Sequence, residues 1–220
     1  MTDFAELRRR MVDSQIRPSE VTDYDLIKAF LAVPREEFTD PAERPFAYAD
    51  RELAMSAAAP GRRMLVPVQL ARLIQALPLG PETRALIVAC GTGYSAAILS
   101  QLAGSVVAVE ADPTLATIAS DHLQRLGALN VRVVQAALTE GHPDGAPYDA
   151  ILLEGAVELV PAALIGQLRP AGALATIERR GRLSHAMLYE RIGEGATGWP
   201  LFEAWATILP GFARKPEFVF

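Results

Sequence analysis

The sequence has one cysteine, Cys90, and three histidines among its 220 residues. A single cysteine excludes an internal disulfide and any zinc site built from several cysteines. No two of the histidines, His122, His142 and His185, stand at a metal-ligand spacing, so each is expected to lie on the surface or to pack locally. We therefore predict no metal site.

The chain also lacks long apolar runs and a strong excess of charge. No run reaches the roughly 18 residues needed to span a bilayer, and the N-terminal segment has no hydrophobic signal-peptide core. With 21 basic and 26 acidic side chains, the formal net charge is −5, which argues against broad nucleic-acid binding. We expect a cytoplasmic protein without a membrane or nucleic-acid partner.

Half of the residues are hydrophobic, and 220 residues are enough to bury a continuous core. From residue 67 onward, apolar runs of strand length alternate with amphipathic helices, a pattern that predicts a parallel sheet covered on both faces. The predicted strands are residues 84–90, 105–110, 131–135, 148–154 and 173–178. Two further strands, 182–192 and 201–209, follow each other across a predicted loop at 193–198 and indicate an antiparallel edge pair.

The first 66 residues have a different pattern. Apolar spacing predicts helices within residues 4–16 and 25–33, and prolines follow both. Residues 34–66 have no clear periodicity and many turn residues; such a stretch either covers a functional site or packs as an ordinary surface segment. We predict an N-terminal helical extension with a loop region (1–66) and an α/β domain (67–220) that form one compact unit.

A glycine loop follows the first buried strand of the α/β region. Gly91, Thr92 and Gly93 stand between this strand and a helix, where glycines let a ligand approach the backbone closely. The next strand ends at Glu110, 19 residues after Gly91, the place where an acidic side chain accepts hydrogen bonds from ribose hydroxyls. Together these features predict a nucleoside site. The simpler alternative is a tight turn, with Glu110 capping the following helix.

The pattern departs from that of nicotinamide-dependent dehydrogenases. A third glycine would stand at position 96, which is Ala96. An α/β chain that ends in an antiparallel edge pair is typical of S-adenosylmethionine-dependent methyltransferases.

The chain resembles the protein-L-isoaspartate O-methyltransferases over nearly its whole length. The resemblance rests on MVDSQIRPSEVTDYDLIKAFLAVPREEF, FAYADREL, GTGYSAAIL, VVAVEADP, LGALNVRV, APYDAIL and VPAALIGQLRPAG. It implies a Rossmann-like methyltransferase fold with a mostly parallel seven-stranded sheet. It also implies S-adenosylmethionine as cofactor and methyl transfer to the carboxylate of a damaged aspartyl residue, so the partner is a peptide or protein substrate. The cofactor-binding positions implied by the resemblance are Ala89, Cys90, Gly91, Gly93, Tyr94, Glu110, Ala111, Ala137 and Leu138.

The substrate-loop signature of that family, Gln-Thr-Ile-Ser-x-Pro, is altered here. The corresponding segment begins at Arg62 and ends at Pro67, and Arg63 and Leu65 replace the two hydroxyl residues. Arg62 and Arg63 are interpreted either as ligands of a substrate anion or as solvated charges in a mobile loop, and the loop composition favours solvated charges. No catalytic residue is assigned.

Two cofactor motifs are altered as well. The acidic residue and first glycine of the family's E-x-G-x-G-x-G motif fall on Ile87 and Ala89, and its Gly-Asp-Gly turn falls on Ala136, Ala137 and Leu138. A hydrogen bond to an ionised partner contributes about 1.5–3 kcal/mol, so losing two would weaken cofactor binding about a hundredfold unless other groups replace them. Asp112, Gln135, Thr139 and Glu154 are candidate replacements whose positions the sequence leaves open.

Three hypotheses follow. The chain is an isoaspartyl methyltransferase, a catalytically silent relative used for binding or regulation, or a methyltransferase with a different acceptor. Cys90 is expected to be a small buried residue at a strand end, with a reactive thiol as the alternative. The tail at residues 211–220 is expected either to pack on the domain or to dock a partner.

Overall fold

The computed structural model describes residues 2–214. Its helices are α1 (Phe4–Met11), α2 (Tyr24–Ala32), α3 (Pro67–Gln75), α4 (Tyr94–Leu99), α5 (Pro113–Arg125) and α6 (Ala162–Gly166). Its strands are β1 (Leu53–Ala54), β2 (Arg63–Met64), β3 (Arg84–Val88), β4 (Ser105–Glu110), β5 (Val131–Gln135), β6 (Tyr148–Val157), β7 (Leu168–Arg180), β8 (Leu183–Ile192) and β9 (Gly195–Glu203).

Seven strands form one sheet in the order β5-β4-β3-β6-β7-β8-β9. The strands from β5 to β7 in this order pair in parallel, β8 pairs antiparallel with β7, and β9 pairs antiparallel with β8. The predicted mostly parallel sheet with an antiparallel edge pair is confirmed. β3 has neighbours on both sides, so the loop that follows it opens at the middle of the sheet's carboxyl edge.

The predicted boundaries of β7 and β9 are wrong: the strand predicted at 173–178 is Leu168–Arg180, and the one predicted at 201–209 is Gly195–Glu203. β9 begins at Gly195 and pairs with β8 through residues assigned to a loop, and the turn between them is only residues 193–194. The first six residues of β9 are exposed at the sheet edge, so they carry none of the apolar alternation by which a strand is recognised. β7 begins at Leu168, and its register against β6 shifts where a turn was expected, next to Ala171 at φ 59°.

The N-terminal residues pack against the sheet through one shared core. The α1 helix continues as a π-helical turn (Val12–Ile16), and Asp23 caps α2 by accepting the Leu26 N–H at 2.9 Å. Phe30 and Phe38 make edge contacts with Tyr94 of α4, with ring centroids 6.2 and 5.5 Å apart. These contacts fix the N-terminal segment over the glycine loop.

The stretch at residues 34–66 contains two short 3₁₀ turns and a small hairpin. β1 and β2 pair antiparallel, and the Met55 N–H donates to the Arg62 carbonyl at 3.2 Å, which extends the hairpin by one pair. We call residues 53–64 the Arg62 hairpin. None of the described helices combines the length and apolarity needed to cross a bilayer.

At the carboxyl end, Phe212 is buried and the Arg214 N–H donates to Glu158 at 2.6 Å, so residues 211–214 pack on the domain. The remainder of the predicted tail, 215–220, lies outside the described residues.

Candidate nucleoside site

The turn between β3 and α4 has the backbone shape that a nucleotide loop requires. Gly91 and Gly93 have φ values of 57° and 95°, in the left-handed region that favours glycine. Ala89 also has a positive φ, 68°, at the position where the resembling family has its first glycine. An alanine in this conformation costs roughly 1–2 kcal/mol, so the loop keeps its shape at the expense of strain.

The carboxylate of Glu110 lies against this loop and is completely buried. It accepts hydrogen bonds from the backbone N–H groups of Gly91 (2.9 Å), Ala111 (2.9 Å) and Asp112 (3.1 Å). The side chain that caps α5 is Asp112, which accepts the N–H groups of Thr114 and Leu115. Glu110 therefore faces the glycine loop, as a ribose-binding residue would.

Arg62 forms a two-pronged ion pair with Glu110. Its Nη1 and Nη2 atoms lie 2.6 and 2.8 Å from the two carboxylate oxygens, and Nη2 also lies 3.3 Å from the Ala89 carbonyl. Only 9% of the Arg62 side chain is exposed, so the interpretation of Arg62 as a solvated loop charge is wrong. Burial lowers the pKa of Arg62, but the hydrogen bond and charge of Glu110 outweigh that effect and raise it overall.

Met55, opposite Arg62 in the hairpin, covers the other part of the loop. A Cβ atom added to Gly91 would overlap the Met55 sulfur, which shows how closely this side chain approaches the glycine. Met55 also contributes to the wall of a cleft of about 430 Å³ between residues 36–44 and α5, which reaches the loop at Thr92. One hairpin thus places two side chains on the predicted site.

A second buried polar group lies behind the loop. Glu154, in β6 just after the last residue that pairs with β3, accepts a hydrogen bond from the Ser95 hydroxyl, and burial raises its pKa to about 8. Arg35 is buried over the Tyr94 ring at 4.8 Å and donates to the carbonyls of Ala47 and Leu65. Glu154 was one of the polar groups that the sequence could not place.

The remaining predicted cofactor positions are distributed around this centre. Cys90 is buried, and burial is the main cause that raises the pKa of its thiol well above the usual value. Tyr94 lies in the core against the N-terminal segment, and burial raises its pKa to about 12. Leu138 is buried in the core on the other side of the sheet, whereas Ala111 and Ala137 are exposed.

The histidines have local packing roles. His122 lies edge-on to Phe38 at 4.9 Å, its Nδ1 lies 3.0 Å from the Thr92 carbonyl oxygen, and burial lowers its pKa. His142 Nδ1 accepts the Gly145 N–H at 3.2 Å. Within residues 2–214 no three histidine, cysteine or acidic side chains come together as a metal site.

At the altered substrate loop, the structure separates the two replaced hydroxyl positions. Leu65 is buried, and its carbonyl accepts a hydrogen bond from Arg35 at 2.7 Å. Arg63 is exposed, so the interpretation of solvated charge fits this residue.

Sequence reasoning found Glu110 and the glycine loop but missed the partners that lie on them. Arg62 precedes Glu110 by 48 residues, and nothing in the local pattern links the two.

The residues present fit a nucleoside cofactor, because a carboxylate that can accept ribose hydroxyls adjoins a loop whose glycines have no side chain to keep a ligand away from the backbone. In the arrangement described, Arg62 and Met55 cover both features.

Comparison with known proteins gives a consistent result. The family model for protein-L-isoaspartate(D-aspartate) O-methyltransferase matches residues 6–204. A protein-L-isoaspartate O-methyltransferase of Koribacter versatilis is 38% identical over 174 residues, covering 79% of this chain and 77% of the relative. A solved protein-L-isoaspartate O-methyltransferase superposes with a TM-score of 0.81 at 28% identity, covering 93% of this chain and 66% of that longer chain.

A second solved structure shows the fold alone. It is a putative protein-L-isoaspartate O-methyltransferase from Plasmodium falciparum in complex with S-adenosyl-L-homocysteine, with a TM-score of 0.76 at 17% identity, covering 95% of this chain and 99% of that one. The predicted family is confirmed, and the chain belongs to the protein-L-isoaspartate O-methyltransferase family.

Proposed function

We propose that this protein is a cytoplasmic methyltransferase that uses S-adenosylmethionine to methylate a carboxylate on a peptide or protein. The observation that carries the proposal is the completely buried Glu110 carboxylate, held by the Gly91 N–H at the carboxyl edge of β3 and β4. Membership of the isoaspartyl methyltransferase family supports the acceptor class.

In this proposal Glu110 holds the ribose hydroxyls, and the loop from Ala89 to Tyr94 lies beneath the methionine portion. By resemblance the exposed Ala111 and Ala137 flank the base, whereas the side chain of Leu138, also implied by the resemblance, is buried in the core and takes no part. S-adenosylmethionine supplies an electrophilic methyl group on a sulfonium sulfur. The protein's part is to bind, to orient the acceptor and to exclude water.

The acceptor needs no general base. A carboxylate with a pKa near ~4 is already ionised at neutral pH. Residues 2–214 place no nucleophile–histidine pair at the loop, which is compatible with the reaction. Glu154 is mainly protonated at pH 7 because burial raises its pKa to about 8. Its neutral state reduces the negative charge that an incoming carboxylate would meet.

The test is transfer of a labelled methyl group to an isoaspartyl peptide, compared with the same peptide containing ordinary aspartate. The proposal predicts base-labile label on the isoaspartyl peptide alone. Label on neither peptide, at enzyme concentrations that give a measurable rate for an active relative, would contradict it.

A second candidate is a catalytically silent relative that retains the fold for binding. The observation that favours it is the buried Leu65 at a family hydroxyl position. Its test is the double variant Arg63→Thr/Leu65→Ser. If the wild type is inactive and the double variant methylates an isoaspartyl peptide, the two altered positions cause the silence. Activity of the wild type itself excludes it.

A further inference from the structure

The Arg62 hairpin competes for the atoms that a nucleoside would use. Glu110 accepts five hydrogen bonds, two from the Arg62 guanidinium and three from backbone N–H groups. A carboxylate offers about four lone-pair sites. No acceptor capacity on Glu110 is left for two ribose hydroxyls while Arg62 stays in place.

Met55 acts on the same loop from the facing side of the hairpin. Its side chain occupies the space directly above Gly91, where a bound ligand would approach the glycine. Because Met55 and Arg62 are joined by the backbone hydrogen bond between them, both side chains move if the hairpin tip moves.

The tip is largely exposed and its base is fixed. Four of residues 56–61 (Ser-Ala-Ala-Ala-Pro-Gly) are exposed, and Gly61 has φ 88° with open space around its Cβ position. Two contacts hold the tip: Ala59 is buried, and the Ala57 N–H donates to Asp40 at 2.6 Å. Beyond the tip, the Leu65 carbonyl is held by the buried Arg35. Withdrawal breaks the contacts of Ala57 and Ala59 as well as the Glu110 pair, and a mostly exposed segment between fixed ends still opens at lower cost than the core does.

We propose that the Arg62 hairpin is an autoinhibitory element that occupies the nucleoside site and must withdraw before S-adenosylmethionine or its demethylated product binds. This inference rests on the proposed function. Withdrawal replaces the guanidinium on Glu110 by the ribose hydroxyls and opens the Met55 side of the cleft to Gly91. The observed Kd then equals the Kd of the open site divided by the fraction of molecules that are open.

The test is calorimetric titration of S-adenosylhomocysteine into the wild type, Arg62→Met and Arg63→Met. Methionine keeps most of the arginine's length but cannot pair with Glu110, whose three backbone N–H partners remain. The proposal predicts at least tenfold tighter binding by Arg62→Met than by wild type, and wild-type affinity for Arg63→Met, because Arg63 is exposed. Equal or weaker binding by Arg62→Met, including no binding by any of the three proteins, overturns it.

A second measurement uses the wild type and does not depend on folding of a variant. Amide hydrogen exchange of residues 56–62 is expected to become faster when S-adenosylhomocysteine saturates the protein, since the hairpin loses its contacts with Glu110 and Gly91. Slower exchange there would overturn the proposal.

Failure of this inference can be told apart from failure of the proposed function by measuring methyl transfer on the same preparations. If the wild type transfers the methyl group and Arg62→Met binds S-adenosylhomocysteine no more tightly than the wild type, the autoinhibitory role is contradicted and the proposed function is supported. If Arg62→Met binds S-adenosylhomocysteine more tightly but no variant transfers a methyl group, the autoinhibitory role is supported and the proposed function is contradicted.

Discussion

The guanidinium of Arg62 spans both carboxylate oxygens of Glu110, at 2.6 and 2.8 Å, although the two residues are 48 positions apart in the chain. The pair neutralises a charge that would otherwise be buried with backbone donors alone. The pair also helps to hold the Glu110 side chain in place beside the glycine loop, although that loop lacks polar residues that the family has.

Replacing Ala89 with glycine should stabilise the protein by about 0.5–1 kcal/mol, because glycine adopts φ 68° without the strain of a Cβ atom. Urea unfolding measures the change. Ala85→Gly, in the regular part of β3, is the matched control and should destabilise by about the same amount. Destabilisation by both substitutions would show that the turn carries no strain.

Gly91→Ala should destabilise by about 1–2 kcal/mol, mainly because alanine is strained at φ 57°; the overlap of the new Cβ atom with the flexible end of Met55 adds a smaller amount. A double-mutant cycle with Met55→Ala separates the two causes. Part of the cost should disappear in the Met55→Ala background, where only the backbone strain remains. Strictly additive effects would mean that the Met55 side chain turns away from the new Cβ atom without cost.

The stability of the wild type should fall as pH rises from about 4.5 to about 8 through the contribution of Glu154. Burial raises its folded pKa to about 8 from an ordinary 4.5, so the folded state holds a proton that the unfolded state releases. Between these values the unfolded state binds fewer protons, and stability declines by up to about 1.4 kcal/mol per pH unit. Glu154→Gln should flatten the profile, measured by urea unfolding at each pH. An unchanged slope would contradict the assignment.

Cys90 should behave as a buried structural residue. Only 1% of it is exposed, and burial raises the pKa of its thiol, so little thiolate forms at pH 8. A disulfide reagent should label the native protein slowly and the urea-unfolded protein at once. Arg63→Cys, which adds an exposed thiol, should gain one rapidly labelled group. Rapid labelling of Cys90 in the native wild type would support a reactive thiol instead.

The strands of the central sheet were predictable because buried parallel strands are continuous apolar runs, as in residues 84–88 and 105–110. The start of β9 could not be predicted from the sequence, since its first residues are exposed and its pairing depends on β8 rather than on an apolar pattern. Glu110 and the glycine loop were recognised because their spacing is local. Arg62, Met55 and Glu154 reach the site through tertiary folding alone, so no local pattern predicts them.

The most direct test of the nucleoside site compares Arg62→Met with Arg62→Met/Glu110→Gln by calorimetric titration with S-adenosylhomocysteine. The competing guanidinium is absent from both proteins, so the difference reports the contact between Glu110 and the ribose. Loss of hydrogen bonds to an ionised partner costs about 1.5–3 kcal/mol, which predicts at least tenfold weaker binding by the double variant. Equal affinities of the two variants would contradict the placement of the nucleoside on Glu110.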